Sequence, residues 1–186
     1  DSGMSRGLGD VYKRQVTETV NLTQEFFSSI NDNLSRGYEF EFIRLGRFLE
    51  RVDMISRIID CLCITKSEKQ TYDFSSMEWI SLLSILSAQD AFRKISKGEV
   101  DRGEVINFLL KNDSFPRSLT RCLSILRLCL ESLPNNENII LKIRSLRLRF
   151  DVSTFDQFDD EKLHKFLDKC QKDLTSIDAL VENNYF

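Results

Sequence analysis

Proline is almost absent from this chain, with Pro116 and Pro134 the only two in 186 residues. Glycine is nearly as scarce, at seven, and Gly3, Gly7 and Gly9 crowd into the first nine positions. A many-stranded β fold needs frequent turns built on such residues, so their scarcity excludes a sandwich or a barrel. Positive charge is not in surplus either. The formal net charge is −3, which removes the broad basic field that nucleic-acid binding draws on. No apolar run approaches the roughly 20 residues of a membrane-spanning helix. Histidine occurs once, as His164, and Cys61-x-Cys63 lacks the spacing of a zinc half-site, so no metal is expected. Glycine-rich phosphate loops, HExxH and GxSxG are also missing, and no cofactor is implied.

What is present suits one globular domain with a sizeable core: 41% of residues are hydrophobic and 30% charged. The five cysteines, Cys61, Cys63, Cys122, Cys129 and Cys170, are an odd number with no signal peptide in view. They read as reduced thiols of a cytoplasmic protein, filling the core or its flanks. Residues 1–15, DSGMSRGLGDVYKRQ, have no apolar periodicity. Their string GLGDVYKRQ resembles translated sequencing adapter, so 1–15 is expected to be a non-native leader. Residues 16–186 are expected to form a single helical domain, incomplete at its N-terminus.

From Val16 onward the apolar residues recur every three or four positions. Val20, Leu22, Phe26, Phe27, Ile30 and Leu34 mark a first helix, and residues 38 to about 64 mark a second. Residues 66–74 are polar and unpatterned, hence a loop. A helix from Ser75 or Ser76 to about Ser96 carries Trp79, Leu82, Leu83, Leu86 and Phe92. Asp101, with Glu104 three residues on, is a capping-box start for a short helix. Pro116 suits the first turn of the next, which ends near Pro134. Segment 137–150 alternates like a strand near its end, but Ile139, Ile143, Leu146 and Phe150 form a helical stripe, and helix is preferred. Acidic residues from Asp156 to Asp160 suit the start of the last helix. The expected architecture is all-α, an up-and-down bundle of about seven helices.

The second helix, EFEFIRLGRFLERVDMISRIID (39–60), holds the candidate functional residues. Leu45, Phe48, Leu49, Val52, Ile55 and Ile59 form its apolar face, yet Ile43, Met54 and Ile58 lie on the other side among Arg44, Arg47, Glu50 and Arg51. A helix apolar on two sides is covered on two sides, which would bury charge between them. Glu50 is then expected to contact an arginine, of its own helix, where Arg47 and Arg57 are in reach, or of a neighbouring one, and Gly46 to permit a close approach of a neighbour. Two uses of Arg44, Arg47, Glu50, Arg51 and Arg57 follow. One is an ion network that orients helices, and the other is a site for a carboxylate, a phosphate or an acidic partner side chain. His164 and the basic series Lys142, Arg144, Arg147 and Arg149 read as solvated positions.

RLGRFLERVDMISRIID resembles the signature of the Alpha-E family, all-helical bacterial proteins named for a Glu-Arg motif, matched here by Glu50-Arg51. The resemblance extends through YEFEFIRLGR, Trp79, Ala91-Phe92-Arg93, Val105 to Leu110, FPRSLTRCL, LHKFLD and the closing NNYF. It implies association with ATP-grasp-type ligases or transglutaminase-like proteins, and so a role beside peptide or amide-bond chemistry. The expected function is a non-catalytic accessory domain that binds such a partner or its anionic substrate. The alternative is an enzyme or ligase component using the Arg47/Glu50/Arg51 cluster. No nucleophile–base pair is visible in the sequence, which favours the first.

Overall fold

The computed structural model describes residues 2–68, 75–96, 98 and 100–186. Eight α-helices account for most of them: α1 (Ser2–Asn33), α2 (Tyr38–Glu68), α3 (Ser75–Ile85), α4 (Gln89–Arg93), α5 (Arg102–Lys111), α6 (Leu119–Glu131), α7 (Glu137–Val152) and α8 (Asp160–Tyr185). A single 3-10 turn, Phe155–Gln157, precedes α8, and there is no strand among the described residues. The protein is all-α, as its periodicity requires. None of these helices is long and apolar enough to cross a membrane.

The chain forms two compact units, Asp1–Phe40 and Glu41–Phe186. The first consists of α1 and the start of α2. Helix α1 continues without a break through residues 2–15, which were expected to stand outside the helical pattern. Its three glycines lower helix propensity but leave every backbone hydrogen bond available.

The second unit contains the core. Leu45, Val52, Ile55, Ile59 and Cys63 of α2 belong to one continuous buried cluster with Trp79, Leu83, Phe92, Leu109, Leu123, Leu126, Ile143, Phe150, Leu163 and Leu174. Sequential helices are neighbours here: α5 packs on α6, α6 on α7 and α7 on α8. Segment 137–150 is helical throughout, so the alternation near its end was incidental. Polar clamps fix the helix ends. Arg102 donates to Asp160 through Nε (3.1 Å) and Nη2 (2.6 Å), and to the Phe158 carbonyl through Nη1 (2.7 Å), tying the start of α5 to the start of α8. Lys111 Nζ donates to the carbonyls of Asp151 (2.9 Å) and Ser153 (3.0 Å), which α7 leaves unpaired at its C-terminus.

Several boundaries differ from the sequence reading. The helix expected over 75–96 is two helices, because the chain turns at Ser87 (φ 51°). The Ala88 amide donates to the Leu83 carbonyl (2.7 Å) and the Ser87 amide to that of Ser84 (2.9 Å), the paired bonds of a Schellman end. Serine occupies the left-handed position where glycine is usual, which hid the break. Pro116 lies in the turn before α6, whose cap is Ser118, accepting from the Arg121 amide at 3.2 Å. Asp101 caps α5 as expected, accepting from the Glu104 amide at 3.1 Å. The Glu104 carboxylate instead accepts from Ser96 Oγ (3.0 Å). Helix α2 runs on to Glu68; the remainder of the expected 66–74 loop lies outside the described residues.

Candidate anion-binding site

Helix α2 is charge-sorted around its axis. At about 100° per residue, Arg44, Arg47 and Arg51 share one flank of the buried stripe, while Asp53 and Asp60 share the other. Glu50 and Arg57 lie on the outer face and are exposed. The five residues singled out from the sequence therefore divide into three groups.

Arg47 and Arg51 form the first group, with Arg117 from the Phe115-Pro116-Arg117 turn that leads into α6. Arg51 is half-buried and lies over the Phe48 ring, 4.9 Å from its centroid. Burial, then the charges of Arg51 and Arg117, hold the Arg47 guanidinium below its ordinary pKa. Burial also lowers that of Arg51, with Arg117 acting in the same sense and neighbouring Cys122 against it. Guanidinium keeps its proton at neutral pH regardless. Arg51 and Arg117 are thus near enough for their charges to act on Arg47, and Arg47 and Arg51 are partly withdrawn from water. Arg117 donates from Nη1 to the Leu86 carbonyl at the C-terminal end of α3 (2.9 Å).

Arg44 is the second group. It pairs with Glu41 one turn earlier, Nη1 lying 3.1 and 2.9 Å from the two carboxylate oxygens. The third group is Glu50 and Arg57. The expected burial of Glu50 does not occur: it is exposed and has no ion-pair partner among the described residues. Arg57 pairs instead with Asp53, Nε to Oδ2 2.6 Å, since Asp53 sits one turn below it on a straight path. Glu50, Asp53 and Arg57 line a cavity of about 160 Å³ with Leu174, Thr175 and Asp178 of α8. Gly46 is exposed, and a Cβ there would meet nothing within 4 Å. No close approach explains this glycine.

Two further corrections concern long-range partners. His164, expected to be a solvated flank, has Nδ1 2.6 Å from Oδ1 of Asp60, which is only 7% exposed. Gln171 Nε2 donates to the other oxygen of Asp60 at 3.3 Å. Both partners come from α8, more than a hundred residues away, so neither was visible in sequence. What was visible is a carboxylate at Asp60 on the inward flank of an apolar helix, and such a group requires a partner. Arg147, expected in solvent, bridges Asp113 (2.8 Å), Asp151 (3.2 Å) and the Thr120 carbonyl (3.0 Å). Arg149 pairs with Asp173.

Four cysteines, Cys63, Cys122, Cys129 and Cys170, are buried, and Cys61 is exposed. No cluster of three metal-binding side chains occurs among the described residues.

Residues 4–186 match the family model Alpha-E, described as a predicted alpha-helical domain with a conserved ER motif. Glu50-Arg51 is the only Glu-Arg step in the sequence. No curated protein and no solved structure matches the chain.

Proposed function

This chain belongs to the Alpha-E family, and on that premise we propose that it is a non-catalytic helical accessory domain that binds an anionic group on Arg47, Arg51 and Arg117. The observation that supports this reading is a group of three arginines whose charges act on one another, two of them partly desolvated. A carboxylate or phosphate placed among them would be stabilised by all three charges. Arginine also offers a planar fork that suits both anions. The anion belongs to a ligase-like partner, of ATP-grasp or transglutaminase-like type, or to that partner's substrate in amide-bond chemistry.

The competing reading is an enzyme built on Arg47, Glu50 and Arg51. It needs Glu50 beside the arginines as acid or base. Glu50 instead lines the cavity against α8, so the anion site is the better-supported use of this helix.

Calorimetric titration of the full chain with an acidic peptide, ADP and inorganic phosphate tests the proposal. Binding of at least one, weakened about tenfold or more in Arg51→Lys and Arg117→Lys with the fold retained, is expected. Absence of binding by all three, together with a large stability loss in Arg51→Lys, would return the arginines to a purely structural role. Turnover of ATP or peptide by the purified chain alone would support the enzyme.

A further inference from the structure

The only histidine of the chain has a use that the arginine site does not draw on. His164 of α8 places Nδ1 2.6 Å from Oδ1 of Asp60 on α2, and Gln171 Nε2 donates to the other carboxylate oxygen at 3.3 Å. All three residues belong to the second compact unit. A carboxylate can only accept, so the Nδ1 proton points at Asp60. That fixes the tautomer, and in the neutral ring the lone pair is left on Nε2. The Asp60 side chain is 10% exposed and that of His164 41%. The dyad therefore has a buried end, which holds the ring, and an open end, which carries the lone pair.

What such a nitrogen can do is narrowed by its surroundings. Nε2 has no hydrogen-bond partner among the described residues, so no hydroxyl or thiol stands beside it to be activated as a nucleophile. No three metal-binding side chains gather among the described residues, so a metal ion would find too few ligands there. Attack by Nε2 itself needs only its lone pair. That attack leaves the ring positive, and a carboxylate already seated on Nδ1 stabilises the charge. The carboxylates one turn either side on α8 are neutralised: Asp160 by Arg102, Glu161 by Lys165 and Asp168 by Lys172. They do little to repel an anionic electrophile such as a phosphoryl donor.

We infer that His164 accepts a phosphoryl group on Nε2 from a small acyl phosphate, with Asp60 as its positioning residue. The Nε2 lone pair attacks phosphorus, the N–P bond forms as the P–O bond to the acyl group breaks, and the carboxylate leaves with the bonding pair. No proton moves, since Nδ1 keeps its own against Asp60. Incubation of the full chain with acetyl phosphate, followed by phosphorus NMR and intact mass, tests this. One phosphoryl group per chain is expected, on an imidazole nitrogen and lost in mild acid. The folded chain should be labelled about tenfold or more faster than the chain unfolded in urea, where the dyad is gone. Asp60→Asn keeps an acceptor for Nδ1 without the charge, and should slow labelling of the folded chain about tenfold. His164→Asn keeps a donor for Asp60, and so the link between α2 and α8, and should abolish labelling. Equal rates in folded and unfolded chains, an unchanged rate in Asp60→Asn, labelling that survives His164→Asn, or no labelling at all would each overturn the inference.

Discussion

Ser87 carries a cost that its neighbours impose. A serine at φ 51° occupies a region where the Cβ crowds the following carbonyl. It stays there because Leu86, Ala88 and Phe92 on either side are buried. Ser87→Gly should therefore raise stability by about 0.5–1 kcal/mol, read from urea unfolding. Glu50 offers the opposite lesson. Its sequence surroundings suggested a buried ion pair, for which removal would cost several kcal/mol. Exposed and without an ion-pair partner among the described residues, it should tolerate Glu50→Ala within about 0.5 kcal/mol. A measured loss of 2 kcal/mol or more, on the scale of a broken buried interaction, would contradict its placement.

At the scale of elements, α2 is joined to α8 by a polar link as well as by apolar packing. Asp60 keeps two acceptor oxygens inside, supplied by His164 and Gln171. His164→Ala removes the shorter of these contacts and leaves a buried carboxylate short of a partner. The expected cost is about 1–3 kcal/mol, with Gln171→Ala costing less because its bond is longer. Equal effects from both would mean that Asp60 relies on some other group. Helix types and most starts were legible in the sequence because they rest on local facts: apolar spacing in α6 and α8, the carboxylate of Asp101 three residues before an amide that needs an acceptor. The break at Ser87 was not, since its side chain carries no signal for a left-handed turn. Nor was the fate of the charges on α2. Arg44, Arg47, Glu50, Arg51 and Arg57 were picked out together, as an ion network or an anion site, and of these Arg47 and Arg51 lie one turn apart on the same flank. Arg117, whose charge acts on both, sits 66 positions beyond Arg51, and no periodicity links the two.

For the molecule as a whole, the buried thiols set an alkaline limit. Burial pushes Cys122 up to about 11, and Cys129 and Cys170 up to about 12, from an ordinary value of 9.0. The unfolded chain releases these protons near pH 9 while the folded chain still holds them. The stability they contribute is thus complete below pH 9 and is lost as pH rises towards 11–12. Urea midpoints should be level between pH 7 and 8.5 and decline above pH 9, with the decline reduced in Cys170→Ala. A thiol reagent at pH 8 should label Cys61 quickly, and the four buried cysteines only after denaturant is added.

The bond from Arg117 to the Leu86 carbonyl has one more implication. That carbonyl ends α3, and the next two residues make the turn into α4. A guanidinium drawn towards an incoming anion must either keep its grip on the corner or let it go. Occupancy of the arginine site would then be written into a corner of the chain that the anion never touches. Amide hydrogen exchange at Ser87 and Ala88 reads this directly: protection that rises or falls when phosphate is added, and that stays constant in Arg117→Lys, would make the corner a built-in reporter of binding.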